Sequence, residues 1–362
     1  RKRDRYRGYQ AKRDVSPDGK WRAYIHEYNV YVRATEGDEE IRLSKDGKKD
    51  NAYQAPYWAP NSNNLIAYRI EPSKISEVHL LESSPKGGGK AKLHTRRYAL
   101  PGDKFTSHEL NWFDVEKKLH VKPDVGVIDF HWPNMRWSMD GRTFTYRKVD
   151  RGHQRFRIIE VDTFTGKARN IIDEVSETFI WTDHGKDYGV SRVTWLKKKK
   201  EIIYISEQDG WRHLYLVDVA TGKQKQITKG EYVLRYVDKI DEEKRQVWFR
   251  ASGRNPKQDP YLIHYYRINF DGGGLTALTE GDGTHEVRYS PDRKYLIDTY
   301  SRIDMAPVNE LRRVSDGGLV CKLEESDISQ LKASGWDAPE VFSAKGRDGE
   351  TGIWGFICRP KD

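Results

Sequence analysis

The chain of 362 residues contains two cysteines, Cys321 and Cys358, too few for a disulfide framework and at no metal-ligand spacing. No apolar run approaches the ~20 residues of a membrane-spanning helix, and the opening residues do not read as a secretory signal. A nucleophile elbow, Gly-x-Ser-x-Gly, is missing, since Ser252-Gly253 and Ser334-Gly335 lack the leading glycine. His-Glu-x-x-His and a phosphate-cradling loop ahead of a helix are missing too. Gly87-Gly88-Gly89 and Gly272-Gly273-Gly274 lie between strand-like runs and read as turns. Serine-hydrolase chemistry therefore cannot be built from these residues, and no metal or other cofactor is implied.

Charge is less restrictive. Lys and Arg number 64 against 55 Asp and Glu, a net charge of +9, which raises nucleic-acid binding as a class. The basic residues are scattered, however. The densest cluster, Arg1 to Arg7, sits at a terminus, and Lys197-Lys198-Lys199-Lys200 fits the solvated tip of a hairpin. No nucleic-acid partner is expected.

What the chain has is aromatic residues, glycine and a repeat. Eleven Trp, 21 Tyr and 11 Phe suit twisted sheets packed face to face. Ser16-Pro17-Asp18-Gly19-Lys20-Trp21 and Ser290-Pro291-Asp292-Arg293-Lys294-Tyr295 are tight turns: proline presets φ, and aspartate bonds its own backbone. Degenerate copies centre on Ser62, Asp140, Lys198 and Glu242, so the steps between successive copies are 44, 78, 58, 44 and 50 residues. A four-stranded propeller blade takes about 40 to 50 residues. Second turns follow at Ala34–Asp38, Ser84–Gly89, Thr163–Lys167, Ala220–Lys223, Asp271–Gly274 and Ser315–Gly318, which makes six blades legible.

The expected fold is all-β, a β-propeller, with a basic segment at 1–14, blades over 15–325, and a helix and strand over 326–362. The second blade is expected over Ala52–Ala99. An irregular extra hairpin or elongated strands are expected in the rest of the 78-residue step, and a helix is expected at Asp327–Gly335. Ser138-Met139-Asp140-Gly141-Arg142-Thr143-Phe144 approaches the turn of sialidase propellers but is one residue short. In those enzymes it is a structural turn, so a glycosidase is a minor reading.

Several segments together resemble the N-terminal propeller of the dipeptidyl peptidase IV family, in the prolyl oligopeptidase clan of serine peptidases. They are Ile205-Ser206-Glu207-Gln208-Asp209-Gly210-Trp211-Arg212-His213-Leu214-Tyr215, Ile227-Thr228-Lys229-Gly230, His285–Asn309, and Lys345-Gly346-Arg347-Asp348-Gly349 leading to Arg359-Pro360. The resemblance implies an eight-bladed propeller, here incomplete at the N-terminus. It also implies an α/β-hydrolase domain beyond residue 362, and a propeller that gates and selects peptide substrates for it. It leaves room for a homodimer of the parent and favours a periplasmic or extracellular setting.

By position it makes Arg42 and Tyr188 candidate substrate-binding residues. Arg42 also reads as an ordinary residue at a blade edge. The family's acidic pair, which grips a peptide's amino terminus, has no counterpart between Leu43 and Tyr57, a stretch without one Glu. The alternative reading is a stand-alone propeller used as a protein-interaction module.

Overall fold

A computed structural model describes residues 14–130, 132–182 and 189–360. Among the described residues the chain is nearly all strand, the one named helix being the five-residue Ser329–Ala333 inside the stretch expected to be helical. The chain divides into two compact units, Arg1–Ile180 and Trp181–Asp362.

The first unit holds three sheets in chain order. Sheet one pairs Trp21–His26, Asn29–Ala34 and Glu40–Arg42, with Val15 bridging Arg22 at its open edge. Sheet two runs Ala52–Trp58, Asn64–Glu71, Ser107–Asp114 and Leu119–Val121, and sheet three runs Met135–Trp137, Thr143–Val149, Arg155–Asp162 and Ala168–Val175.

Sheet two corrects one expectation. The turn at Ser84–Gly89 does not close this blade; it joins Glu77–Glu82 to Lys92–Arg97, a separate two-stranded hairpin inserted between the second and third strands. Burial explains the choice. Asn64–Glu71 needs an apolar neighbour, and Ser107–Asp114 supplies Leu110, Trp112 and Phe113, whereas Leu80, Leu81 and Leu93 of the hairpin stand exposed. The extra hairpin exists, but upstream of where the spacing placed it.

Alternation across Asn64–Glu71 sets the core. Leu65 and Ala67 pack with Ala23, Val30 and Val32 of sheet one, while Ile66, Tyr68 and Ile70 pack with Trp137, Phe144 and Val161 of sheet three. A strand covered on both faces reads as an unbroken apolar run, as Leu65-Ile66-Ala67-Tyr68 does. Each fully buried large side chain contributes about 1.5–3 kcal/mol.

The second unit repeats the plan. Sheet four is Val193–Trp195, Glu201–Ser206, His213–Asp218 and Gln224–Gln226; sheet five is Val233–Asp241, Gln246–Ser252, Ile263–Asn269 and Thr276–Ala277. Sheet six is Thr284–Tyr289, Tyr295–Arg302, Met305–Arg313 and Leu319–Glu325. Here Gln246–Ser252 is the strand covered twice. Val247, Phe249 and Ala251 meet sheet four, and Trp248 meets Leu296 of sheet six. A last hairpin, Glu340–Lys345 with Gly352–Ile357, pairs with no sheet among the described residues.

The repeated turns have repeated chemistry. Ser16 Oγ donates to Asp18 Oδ1 (2.6 Å) and accepts the Trp21 amide (3.0 Å); Ser138 with Asp140 and Ser290 with Asp292 do the same. A second device joins the last two strands of sheets one, four and five. Ser44, Thr228 and Thr279 present hydroxyls that accept the amides of Val30 (2.9 Å), Leu214 (2.9 Å) and Tyr265 (3.1 Å). Each hydroxyl also meets the side chain of the preceding residue, Asn29, His213 or His264, fifteen positions upstream. Polar groups at a blade edge are thereby paired where burial would otherwise penalise them.

Candidate functional site

In the first unit, a cavity of about 460 Å³ is bordered by Asp14, Ala23 to Ile25, Ala55 to Tyr57, Tyr68 and Trp132 to Met135. Local sequence explains why these elements leave a space. Pro56 and Pro133 cannot donate to a ladder, and Ala55 lies at φ 51°, so strand pairing slips between Gln54 and Tyr57. Aromatic rings fill the wall that results. Tyr68 stands edge-on to Trp132 (5.6 Å between centroids), and Trp132 stands edge-on to His108 (4.9 Å).

The polar groups here are few. The Tyr68 hydroxyl is buried without a hydrogen-bond partner among the described residues, and burial drives its phenol well above the usual range. Asp14 accepts the Trp58 indole (3.0 Å) and the Ala23 amide (2.7 Å) through its backbone carbonyl. Burial raises the Asp14 carboxyl, partly countered by the charge of Arg22. The site can therefore hold a ligand with an apolar body and a polar or cationic end.

Arg42 lies on the exposed edge of sheet one, outside the residues that border this cavity. Its Nε donates to the Ser44 carbonyl (2.8 Å), and its guanidinium sits 5.8 Å from the Tyr31 ring centroid. Tyr188 lies outside the described residues.

The stretch between Leu43 and Tyr57 contains a carboxylate that is fully engaged. Asp46 accepts Tyr53 Oη (2.8 Å), Arg69 Nη1 (2.8 Å) and Lys122 Nζ (2.8 Å), and Arg69 and Lys122 both turn to Glu109 as well. Burial pushes the Asp46 carboxyl up, but the Lys122 and Tyr53 hydrogen bonds and the nearby cations outweigh it and hold it at about 2. Asp46 ties the connector to sheet two and is not free to grip a ligand. Sequence reasoning overlooked Asp14, assigned to the basic segment, as well as Tyr68 and Trp132. The available signal was Ala55-Pro56-Tyr57 and Trp132-Pro133, where proline and aromatic residues interrupt strand patterns.

Successive antiparallel sheets, packed on their neighbours within each unit through buried apolar and aromatic side chains, define a β-propeller domain. Residues 3–307 match the dipeptidyl peptidase IV (DPP IV) N-terminal region family, and the chain belongs to it. Among its relatives, the probable dipeptidyl-aminopeptidase B of Aspergillus oryzae is 23% identical over 322 residues, covering 79% of this chain and 35% of that protein. The probable dipeptidyl peptidase 4 of Aspergillus flavus is 26% identical over 322 residues, with 82% of this chain and 41% of that protein covered. The crystal structure of Porphyromonas gingivalis dipeptidyl peptidase 4 matches with a TM-score of 0.56 at 18% identity, over 96% of this chain and 50% of that one. The chain thus spans about a third to a half of the length of these relatives.

Proposed function

We propose that this chain is the non-catalytic propeller of a dipeptidyl peptidase IV-like serine peptidase, and that it selects peptide substrates for an α/β-hydrolase domain encoded beyond residue 362. The observation that carries this reading is the hairpin Glu340–Lys345 with Gly352–Ile357. Paired residues share a face, so Phe342, Ile353 and Ile357 lie on one side and Val341, Trp354 and Phe356 on the other. Val341, Phe342, Ile353, Phe356 and Ile357 are exposed. An isolated hairpin is marginal in water, and one that is apolar on both faces is suited to the interior of a further domain.

Family membership supports a peptide as ligand, and the aromatic cavity of the first unit supports a place to hold one. Arg42 and Tyr188 remain part of the proposal as substrate contacts, by their position in the family pattern.

The isolated chain is expected not to cleave Xaa-Pro reporter substrates. The same chain extended through the downstream reading frame is expected to cleave them, with turnover blocked by a serine-directed inhibitor. Turnover by residues 1–362 alone, sensitive to that inhibitor, would overturn the division of labour. An inert extended protein would overturn the peptidase reading.

A further inference from the structure

Sheets five and six are joined differently from sheets four and five. Among the described residues, fourteen buried apolar side chains cluster across the seam between sheets four and five; the cluster joining sheets five and six has five, Trp248, Tyr265, Leu278, Leu296 and Val314. Two buried histidines also meet across that second seam. His264 of Ile263–Asn269 and His285 of Thr284–Tyr289 lie with ring centroids 4.5 Å apart.

Hydrogen bonds fix the protons on the two rings. His285 Nδ1 faces both carboxylate oxygens of Asp298 (2.8 and 3.0 Å), and its Nε2 faces the Gly281 carbonyl (2.9 Å). These partners accept and do not donate, so both ring nitrogens carry hydrogen and the ring is a cation. His264 differs. Its Nε2 donates to Gln258 Oε1 (2.8 Å), which also accepts Asn255 Nδ2 (2.9 Å), and its Nδ1 lies 3.5 Å from the Thr279 hydroxyl, so this ring is neutral. An added proton goes to His264 Nδ1, beside the His285 cation.

Nothing is placed to receive that charge. The groups facing His264 are Asn255, Gln258, Thr279 and Tyr266, all neutral, and cationic His285, with Arg254 over the Tyr266 ring at 5.3 Å. The nearby carboxylates are engaged elsewhere. Asp298 holds His285 and lies 3.6 Å from Arg312 Nε, Glu310 meets Arg312 and the Tyr300 hydroxyl, Glu280 meets Arg312, and Asp282 meets Arg302. Tyr300 closes the far face of the His285 ring, 4.9 Å away.

We propose that the seam between sheets five and six is a proton-operated joint, in which protonation of His264 beside the fixed His285 cation parts sheet six from sheet five while sheets four and five stay together. The direction follows from where His264 titrates: about 4 with the seam closed, and its ordinary 6.5 once exposed. The open form therefore takes up the proton first, and the opening equilibrium rises as pH falls from 6.5 to 4, on the order of a hundredfold. Sheet six leads into the hairpin Glu340–Lys345 with Gly352–Ile357, so the joint puts the chain's path to that hairpin under the control of pH.

The test is amide hydrogen exchange of the full chain between pH 7 and 4, read by mass spectrometry and corrected for the intrinsic exchange rate at each pH. Peptides from sheet six, 284–325, are expected to lose protection on the order of a hundredfold, and peptides from sheet four, 193–226, to lose much less. His264→Gln keeps a donor for Gln258 and removes the titrating ring, so its sheet six should hold its protection across the range. In the unaltered protein, nitrogen spectra of labelled histidine are expected to show one ring doubly protonated at pH 7 and a second taking up its proton as sheet six opens.

Unchanged protection of sheet six down to pH 4 would overturn the proposal, as would parallel losses in sheets four and six, which report global unfolding. A loss that persists in His264→Gln would overturn it as well, by assigning the opening to the carboxylates. Protonation of His264 near 6.5 with sheet six still protected would show that the closed seam accommodates the second cation, and would also overturn it.

Discussion

Three glycines separate two physical causes of strain that are usually confounded. Gly19 has φ +77° and open space around an added Cβ, so Gly19→Ala tests the backbone alone. Gly47 has no left-handed φ, but its Cβ would fall 2.0 Å from the Tyr28 carbonyl oxygen, which itself accepts the Tyr53 amide (3.0 Å) and ties sheet one to sheet two. Gly317 has both problems: φ +75° and a Cβ 1.9 Å from the Ala277 carbonyl oxygen.

An alanine in the left-handed region costs about 1–2 kcal/mol, of which about 0.4–1 kcal/mol is returned by the stiffer unfolded chain. Gly19→Ala is therefore expected to cost roughly 0.5–1 kcal/mol. Overpacking against backbone costs about 1–3 kcal/mol, so Gly47→Ala falls in that range and Gly317→Ala at about 2–4 kcal/mol. Urea unfolding followed by tryptophan fluorescence and circular dichroism reads each value from the midpoint at unchanged slope. Equal costs for Gly19→Ala and Gly317→Ala would refute the reasoning, because the two share a torsion and differ only in what the new methyl meets.

Other expectations follow from the same geometry. Thr228→Val should cost about 1–3 kcal/mol, since it leaves the buried Leu214 amide without an acceptor; a midpoint shift within error would remove the edge clasp from the account. Glu27 (φ 44°) and Tyr28 (φ 67°) form a two-residue turn that favours Asn-Gly, so replacing the pair by Asn-Gly should raise stability by about 1 kcal/mol in the same unfolding assay. Replacing the exposed hairpin, Ser76 to Tyr98, by a short glycine-serine linker should leave the unfolding midpoint of the first unit within error; a large loss would show that the hairpin is covered.

Burial, and then the His285 charge, lower His264 to about 4, below its ordinary 6.5. The unfolded chain therefore takes up a proton first, and stability conferred by the neutral ring is full above pH 6.5 and lost as pH falls toward 4. Acid titration of unfolding should register a loss of about 2–3 kcal/mol over that window, and His264→Gln should flatten it.

Much of the architecture was legible because turns are local. Ser16-Pro17-Asp18 and Ser290-Pro291-Asp292 contain within a few residues the fixed φ and the carboxylate expected to close the turn, and Asp18 and Asp292 do accept the Lys20 and Lys294 amides; the serine hydroxyl bonds were not anticipated. The Glu27–Tyr28 turn carried no such signal, since neither residue prefers positive φ. The second blade was misdivided for a different reason: Glu77–Glu82 and Lys92–Arg97 have strand propensity, and only competition for a buried position beside Asn64–Glu71 excludes them from the sheet. Arg42, which lies on the edge strand of sheet one and away from the cavity, was legible as a blade-edge residue, whereas Asp14, Tyr68 and Trp132 could not be grouped, because they are separated by up to 118 positions in the chain.

By itself, then, the sequence determined the blade repeat, its turns, its strand-covered apolar runs and its family, all of which depend on residues within one hairpin of each other. Tertiary structure decided which hairpin closes the second blade, which carboxylate is tied up, and where rings from three blades border one space. Those outcomes depend on which distant groups share a surface, and a linear pattern carries no information about desolvation or about the partners that relieve it.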